Sequence, residues 1–128
     1  MVKEINEKEL EELIKTTKVV IVDFSATWCG PCKSLGKILE SKVAPKLEGK
    51  KDIALVKIDI DQNRNLSSAL QIQGVPTMMF FFGGKRTVFQ TEKGQEDRTV
   101  GSLPNIDQVI RNLVDQPEKS DPNQGGGW

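Results

Sequence analysis

Residues 28–32 read Trp-Cys-Gly-Pro-Cys, and the two cysteines in this string are the only ones in the chain. The string follows a largely apolar run, Val19–Phe24, that predicts a buried strand, and it opens a run with helical spacing. A Cys-x-x-Cys pair at such a strand–helix junction is typical of a thiol–disulfide redox centre. This feature therefore predicts both the local fold around the cysteines and a redox function.

The remaining composition leaves two other uses for the cysteines open. The chain has no histidine, so a tetrahedral zinc site would need a dimer or two well-placed carboxylates besides the two thiolates. A purely structural disulfide would close a very short loop, and the stabilisation from a disulfide grows with loop length. Both alternatives are weaker than the redox interpretation.

The bulk properties indicate a single domain with no net charge, so association must come from a local surface. The 128 residues include 18 Lys and Arg and 18 Asp and Glu, so no net field favours nucleic acid or anionic lipid. The longest aliphatic run, residues 19–22, is far shorter than the roughly 20 residues that cross a bilayer. The charged N-terminal residues do not resemble a secretory signal. We therefore expect a cytoplasmic protein, or a mitochondrial or other organellar one if a transit peptide has been removed.

Hydrophobic periodicity predicts an alternating α/β chain. Strands are predicted at residues 2–5, 19–25, 53–60, 78–82 and 85–90, with a Gly83-Gly84 hairpin turn before the last. Helices are predicted at 7–16, from near Pro31 to a break at Pro45, at 65–71 and after Asn105. This order implies a mixed sheet, parallel and then antiparallel, with helices on both faces. Residues 1–115 would form the domain, and 116–128 have the composition of a disordered tail.

The chain resembles the thioredoxin family over residues 1–115. The matching residues are Asp23-Phe24, Thr27–Lys33, Lys57–Asp61, Gly74–Thr77, Gly84 and Val100-Gly101. The resemblance implies a thioredoxin fold, with a central mixed sheet flanked by helices on both faces. It also implies a protein disulfide reductase that is monomeric, needs no cofactor beyond its redox-active disulfide, acts on disulfide-containing proteins and is recycled by a thioredoxin reductase.

The family mechanism assigns different roles to the two cysteines. Cys29, at a helix N-terminus, would be an exposed thiolate stabilised by the helix dipole and unpaired N–H groups, and would attack the target disulfide. Cys32, one turn inward, would resolve the mixed disulfide. Gly30 would leave room for the target, and Pro31 would stiffen the turn.

Asp23 and Lys57 match a second functional pair of the family. An aspartate in an aliphatic strand is costly to bury unless it has a partner or a task. By resemblance, Asp23 has a pKa raised by desolvation and accepts the proton of Cys32 through water, with Lys57 as the matching cation. The alternative is that Asp23 and Lys57 form a structural ion pair.

The resemblance also predicts a surface that contacts protein targets. Val75-Pro76 matches a cis-proline turn that can present the Val75 backbone to an extended peptide. An apolar patch around the cysteines would comprise Trp28, Ile60, Val75, Val100 and Gly101. Each apolar member could equally belong to the core.

Two departures from the family pattern qualify this prediction. Lys37 stands where the family often has a helix-kinking proline, and Arg86–Thr99 is several residues longer than the usual return strand. That segment is either a solvated loop or one that selects partners. Two rival functions remain. The first is an oxidase or isomerase, against which the Gly-Pro between the cysteines argues by resemblance, because isomerases often have His there. The second is a binding module in which the thiols matter little.

Overall fold

The computed structural model describes residues 2–115, so the tail predicted to be disordered lies outside the described residues. The strands are β1 Lys3–Glu4, β2 Val19–Ser25, β3 Ile53–Asp59, β4 Thr77–Phe82, β5 Lys85–Arg86, β6 Phe89–Thr91, β7 Gly94–Glu96 and β8 Arg98–Val100. The helices are α1 Glu7–Thr16, α2 Gly30–Ile38, α3 Ala44–Leu47, α4 Arg64–Ala69 and α5 Ile106–Asp115, with a π turn, Leu39–Val43, between α2 and α3. Within residues 2–115, no helix is both long and apolar enough to cross a membrane.

A mixed sheet in the order β1-β3-β2-β4-β5 forms the centre of the fold, and β8 also pairs with β4. Strands β1, β3 and β2 are parallel, whereas β4 is antiparallel to β2, β5 and β8. Every residue of β2 and β4 is buried, as expected for central strands covered on both faces. The predicted mixed sheet is confirmed.

Successive residues of the central strands pack into two separate cores, because side chains alternate across a sheet. Ile21 and Phe80 pack with Leu35 of α2 and Ile110 of α5 on one face. Val22 and Phe81, the next residues along each strand, belong to the other core, which includes Leu10 of α1 and Leu66 of α4. Helices therefore cover both faces, and the cysteines lie where β2 passes into α2.

The second helix continues past the predicted break at Pro45. Pro45 has no N–H to donate to the carbonyl four residues back, which would interrupt a regular α-helix. The chain instead widens into the π turn, in which the N–H of Ala44 donates to the carbonyl of Leu39. Pro45 then occupies the first turn of α3, where a missing N–H costs little.

The predicted return strand at 85–90 is wrong beyond its first residues. The Gly83-Gly84 turn is present, and both glycines have positive φ, so Lys85 pairs with Phe82 as expected. After Thr87 the chain leaves the sheet and forms a separate two-stranded hairpin from β6 and β7. It rejoins β4 only at β8, so the extra segment is an ordered insertion and not a plain loop.

Candidate active site

Cys29 and Cys32 form a disulfide at the start of α2, with their Cα atoms 5.3 Å apart. Cys29 is the N-cap of the helix, and its Sγ accepts a hydrogen bond from the backbone N–H of Cys32 at 3.1 Å. A helix N-terminus leaves several N–H groups without intrahelical partners and carries partial positive charge. The same geometry would stabilise a Cys29 thiolate after reduction.

Exposure does not distinguish the two cysteines in this oxidised form. Cys29 is 5% exposed and Cys32 is 6% exposed, whereas the sequence led us to expect an exposed Cys29. The reason is that both pack against Ala26, with the half-buried side chains of Ile60 and Val75 beside them. In the oxidised form, the N-cap position and the hydrogen bond from the Cys32 N–H distinguish Cys29 from Cys32, and overall exposure does not.

Asp23 is buried in the middle of β2 without a direct partner. Its side chain is 1% exposed and its Oδ1 accepts no hydrogen bond. Lys57 lies opposite Asp23 in the β2–β3 register, yet no ion pair between them occurs among the salt bridges of the described residues. Desolvation by burial raises the pKa of Asp23 to about 7, and the positive charge of Lys57 opposes this only in part. The geometry disfavours a structural Asp23–Lys57 contact.

A cavity of about 540 Å³ brings the predicted acid–base groups together. Its lining includes Asp23, Cys32 and Lys57, together with the exposed residues Lys33 and Glu40. This volume is large enough to hold several water molecules. A larger cavity, about 780 Å³, lies between α1, α3 and β3, away from the cysteines. We assign the site to the smaller one because it contains a redox-active sulfur and a group that can exchange a proton.

The loop before β4 faces the disulfide. The Val75–Pro76 peptide bond is cis, and the carbonyl oxygen of Val75 lies 3.7 Å from Cys29 Sγ. In the disulfide form this is a contact and not a hydrogen bond, since the sulfur carries no proton. On the far side of the loop, the N–H of Gly101 donates to the carbonyl of Pro76 at 2.8 Å.

The predicted patch residues surround this arrangement with different exposures. Trp28 is 68% exposed and Val100 is 61% exposed, and they are the large apolar side chains that stand out as exposed among residues 2–115. Gly30 is exposed, and a Cβ there would meet nothing within 4 Å. The chain's own packing therefore does not require glycine at this position, and space beside the disulfide remains open.

Asp61 contributes to the site although no role was predicted for it. The indole N–H of Trp28 donates to Asp61 Oδ2 at 2.7 Å, and the backbone N–H of Asp61 donates to Asp59 Oδ1 at 2.8 Å. This chain of bonds fixes the orientation of the exposed Trp28 ring. Sequence spacing offered no signal for it, because Trp28 and Asp61 are 33 residues apart.

The metal interpretation finds no support in the described part of the chain. Within residues 2–115 there is no group of three or more Cys, Asp or Glu side chains placed to hold a metal ion.

Comparisons with known proteins identify the family and agree with the fold. Residues 1–105 match the family model described as Thioredoxin. A thioredoxin of Mycoplasmoides gallisepticum is 43% identical over 99 residues, which cover 77% of this chain and 86% of that protein. A bifunctional thioredoxin reductase/thioredoxin of Mycobacterium leprae is 36% identical over 74 residues, 58% of this chain and 16% of that protein. The crystal structure of chloroplastic thioredoxin z has a TM-score of 0.70 and 36% identity, covering 90% of this chain and 96% of the other.

Proposed function

Because the chain belongs to the thioredoxin family and is a thiol–disulfide oxidoreductase with a Cys29–Cys32 couple, we propose that it reduces disulfides in other proteins. The observation that carries this proposal is the shared cavity of Cys32 and the buried, unpaired Asp23. A dithiol donor needs a group that takes the proton of its second thiol, and the position of Asp23 in the same cavity as Cys32 supports assigning it that task.

The first step belongs to Cys29. Its thiolate, stabilised by the N–H of Cys32 and the start of α2, attacks one sulfur of the target disulfide. A mixed disulfide between Cys29 and the target forms, and the other target sulfur leaves as a thiolate that takes a proton from solvent. The open space beside Gly30 and the exposed Trp28 and Val100 support target docking at this point.

The second step belongs to Cys32. Its thiol gives a proton to the Asp23 carboxylate, directly or through water in the cavity, and the resulting thiolate attacks Cys29 Sγ. The Cys29–Cys32 disulfide forms, and the second target sulfur leaves as a thiolate that takes a proton from protonated Asp23 or from solvent. Two electrons have then moved from the chain to the target, and each of the two target sulfurs has gained a proton. No cofactor enters this scheme because the two sulfurs carry the electrons.

Regeneration requires reduction of Cys29–Cys32 by a further donor. We assign that role to a thioredoxin reductase, which is supported by the Mycobacterium leprae relative, whose name joins the two activities in one protein. A reductant of this kind suits a reducing compartment such as the cytoplasm. We further propose a monomer, because one chain contains every residue used in the scheme.

The direction of electron flow is tested by the equilibrium potential of the Cys29–Cys32 couple against glutathione. A donor has a reduction potential below that of the glutathione couple. The Cys29–Cys32 disulfide should therefore remain largely oxidised in a buffer in which glutathione is only partly reduced. A potential above that of glutathione would instead indicate an oxidase or isomerase. Undiminished biological activity in a variant with both cysteines changed to serine would indicate a binding module.

A further inference from the structure

The insertion between β5 and β8 enters the sheet edge at a defined point. The N–H of Thr87 donates to the carbonyl of Phe80, and Arg98 pairs with Met79, the preceding residue of β4. β5 and β8 therefore continue one another along β4 as a single edge strand. The segment Val88–Asp97 is inserted between them. Phe89 anchors it by packing edge-on against Phe80, with ring centroids 5.9 Å apart.

The insertion brings two like charges and one opposite charge together at its base. Arg86 and Arg98 lie opposite Phe81 and Met79, which face the same core, so the two guanidinium groups share one face of the sheet. Asp97, the last residue of the insertion, binds Arg86 Nη1 at 3.1 Å and Arg98 Nε at 2.8 Å. It thereby offsets the repulsion between two neighbouring cations.

The Asp97–Arg98 contact has the geometry of a specific pair. Arg98 Nε and Nη2 both donate to the Asp97 carboxylate, at 2.8 and 3.3 Å, an arrangement stronger and more directional than a single contact. The Asp97 and Arg98 side chains are 22% and 19% exposed. Burial disfavours the charge on Asp97, but the Arg98 hydrogen bond and the two cations outweigh it and lower the pKa of Asp97.

Arg98 also contacts the loop that faces the disulfide, and so connects Asp97 to that loop. Its third nitrogen, Nη1, donates to the backbone carbonyl of Gln71 at 3.1 Å. Gln71 has a φ of 55°, a left-handed conformation that non-glycine residues rarely adopt. The loop from Gln71 to Pro76, here called the substrate loop, is thus held by Arg98 at its start and by Gly101 at its end.

A groove lies between the substrate loop and β8. It has a volume of about 460 Å³ and is lined by Gln71, Gln73, Gly74, Thr77, Arg98 and Val100. Asp97 is shared between Arg86 and Arg98, so the three side chains keep one net positive charge, and the groove offers amide, carbonyl and apolar groups beside it. These groups line the loop whose Val75 carbonyl contacts Cys29, and they fit an extended polypeptide whose cysteine reacts there.

We propose that Asp97 is a positioning residue for protein substrates, because it holds Arg98 against the Gln71 carbonyl and so fixes the substrate loop and its groove. The target segment beyond the reacting cysteine occupies this groove. This proposal rests on the proposed function, and it adds a positioning role for the last residue of the insertion. Small disulfides that do not reach the groove should not depend on it.

The test compares the reduced Asp97→Asn variant with wild type and with a matched control, Glu92→Gln. The control makes the same carboxylate-to-amide change at an exposed residue in the turn between β6 and β7. Second-order rate constants are measured with insulin and with dithiobis-nitrobenzoate, a small aromatic disulfide. We expect Asp97→Asn to lower the insulin rate constant by about fivefold or more and to change the small-disulfide rate constant by less than about twofold. Glu92→Gln should change neither.

A second variant guards against a folding defect. Arg98→Gln removes the bonds to Asp97 and Gln71 but leaves the Arg86–Asp97 pair, and it should reproduce the selective loss with insulin. If Asp97→Asn does not fold by circular dichroism, Arg98→Gln decides the question. An unchanged ratio of the two rate constants, or an equal loss with both substrates, overturns the positioning role. Failure of wild type with both substrates would instead overturn the proposed function itself.

Discussion

Replacing Asp23 with asparagine should remove a large pH-dependent destabilisation of the fold. Burial raises the pKa of Asp23 from 3.8 to about 7. Below about pH 4 the carboxyl is protonated in both the folded and the unfolded chain, so the shift has no effect on stability. As the pH rises from about 4 to about 7, the unfolded chain releases this proton while the folded chain keeps it, and the free energy of unfolding falls.

The magnitude follows from the shift. Each pKa unit corresponds to about 1.4 kcal/mol, so the full penalty above about pH 7 is about 4 kcal/mol. Of this, about 3 kcal/mol develops between about pH 5 and about pH 8, where other carboxylates are already ionised. The asparagine side chain of the variant has no proton to release, so the advantage of Asp23→Asn over wild type should grow by about that amount across this range.

Urea denaturation of the oxidised proteins at about pH 5 and about pH 8 measures this change in the free energy of unfolding. The difference between wild type and variant is compared across pH, which cancels any constant effect of the amide on packing. Asp52→Asn, in the exposed turn before β3, is the control for loss of one carboxylate. Wild type and Asp23→Asn profiles that run parallel within about 0.5 kcal/mol would refute the assignment of a desolvated, unpaired Asp23.

Four further outcomes are expected from the site geometry. In the reduced protein, Cys29 should be alkylated at least about tenfold faster than Cys32 near neutral pH, as mass spectrometry of partly labelled protein would show; equal rates would contradict its assignment as the nucleophile. Cys32→Ser should accumulate mixed disulfides with protein targets, and catalytic turnover by this variant would exclude Cys32 as the resolving thiol. Asp23→Asn should slow the resolving step by about tenfold or more and leave the first attack nearly unchanged, which rapid-quench analysis can separate. Phe89→Ala should lower the free energy of unfolding by about 2 kcal/mol through lost packing on Phe80, and a loss below about 0.5 kcal/mol would mean that the hairpin is not anchored there.

Much of the fold could be predicted because its signals are local. The helix predicted at 7–16 is α1, which begins with a capping box formed by Asn6 and Glu9, and the apolar run at 19–25 is the predicted central strand. The redox pair also follows from local sequence, since Cys29 and Cys32 lie within one helical turn. In each case the residues that determine the structure are at most a few positions apart.

The structure corrected two predicted elements. In both, local sequence is compatible with more than one backbone conformation. The pattern at 85–90 suits a strand, yet only its first part pairs with β4, because the edge position after Thr87 is taken by Arg98. Pro45 predicts a helix break, yet the π turn accommodates the missing N–H of Pro45 and α3 follows directly. Both outcomes depend on what the neighbouring strand or helix offers as a partner.

The sequence by itself determined the chemistry of this protein, since the two sulfurs, the helix that begins between them and the acid in the preceding strand are set by neighbouring residues. Only the tertiary structure decided the surroundings of that chemistry. Trp28 forms a hydrogen bond with Asp61 across 33 residues, and Arg98 forms one with Gln71 across 27. No periodicity or motif in the sequence indicates either pairing. The reason is physical: such contacts form only after the sheet has fixed the distance between distant segments, so their energy depends on packing and not on local preference.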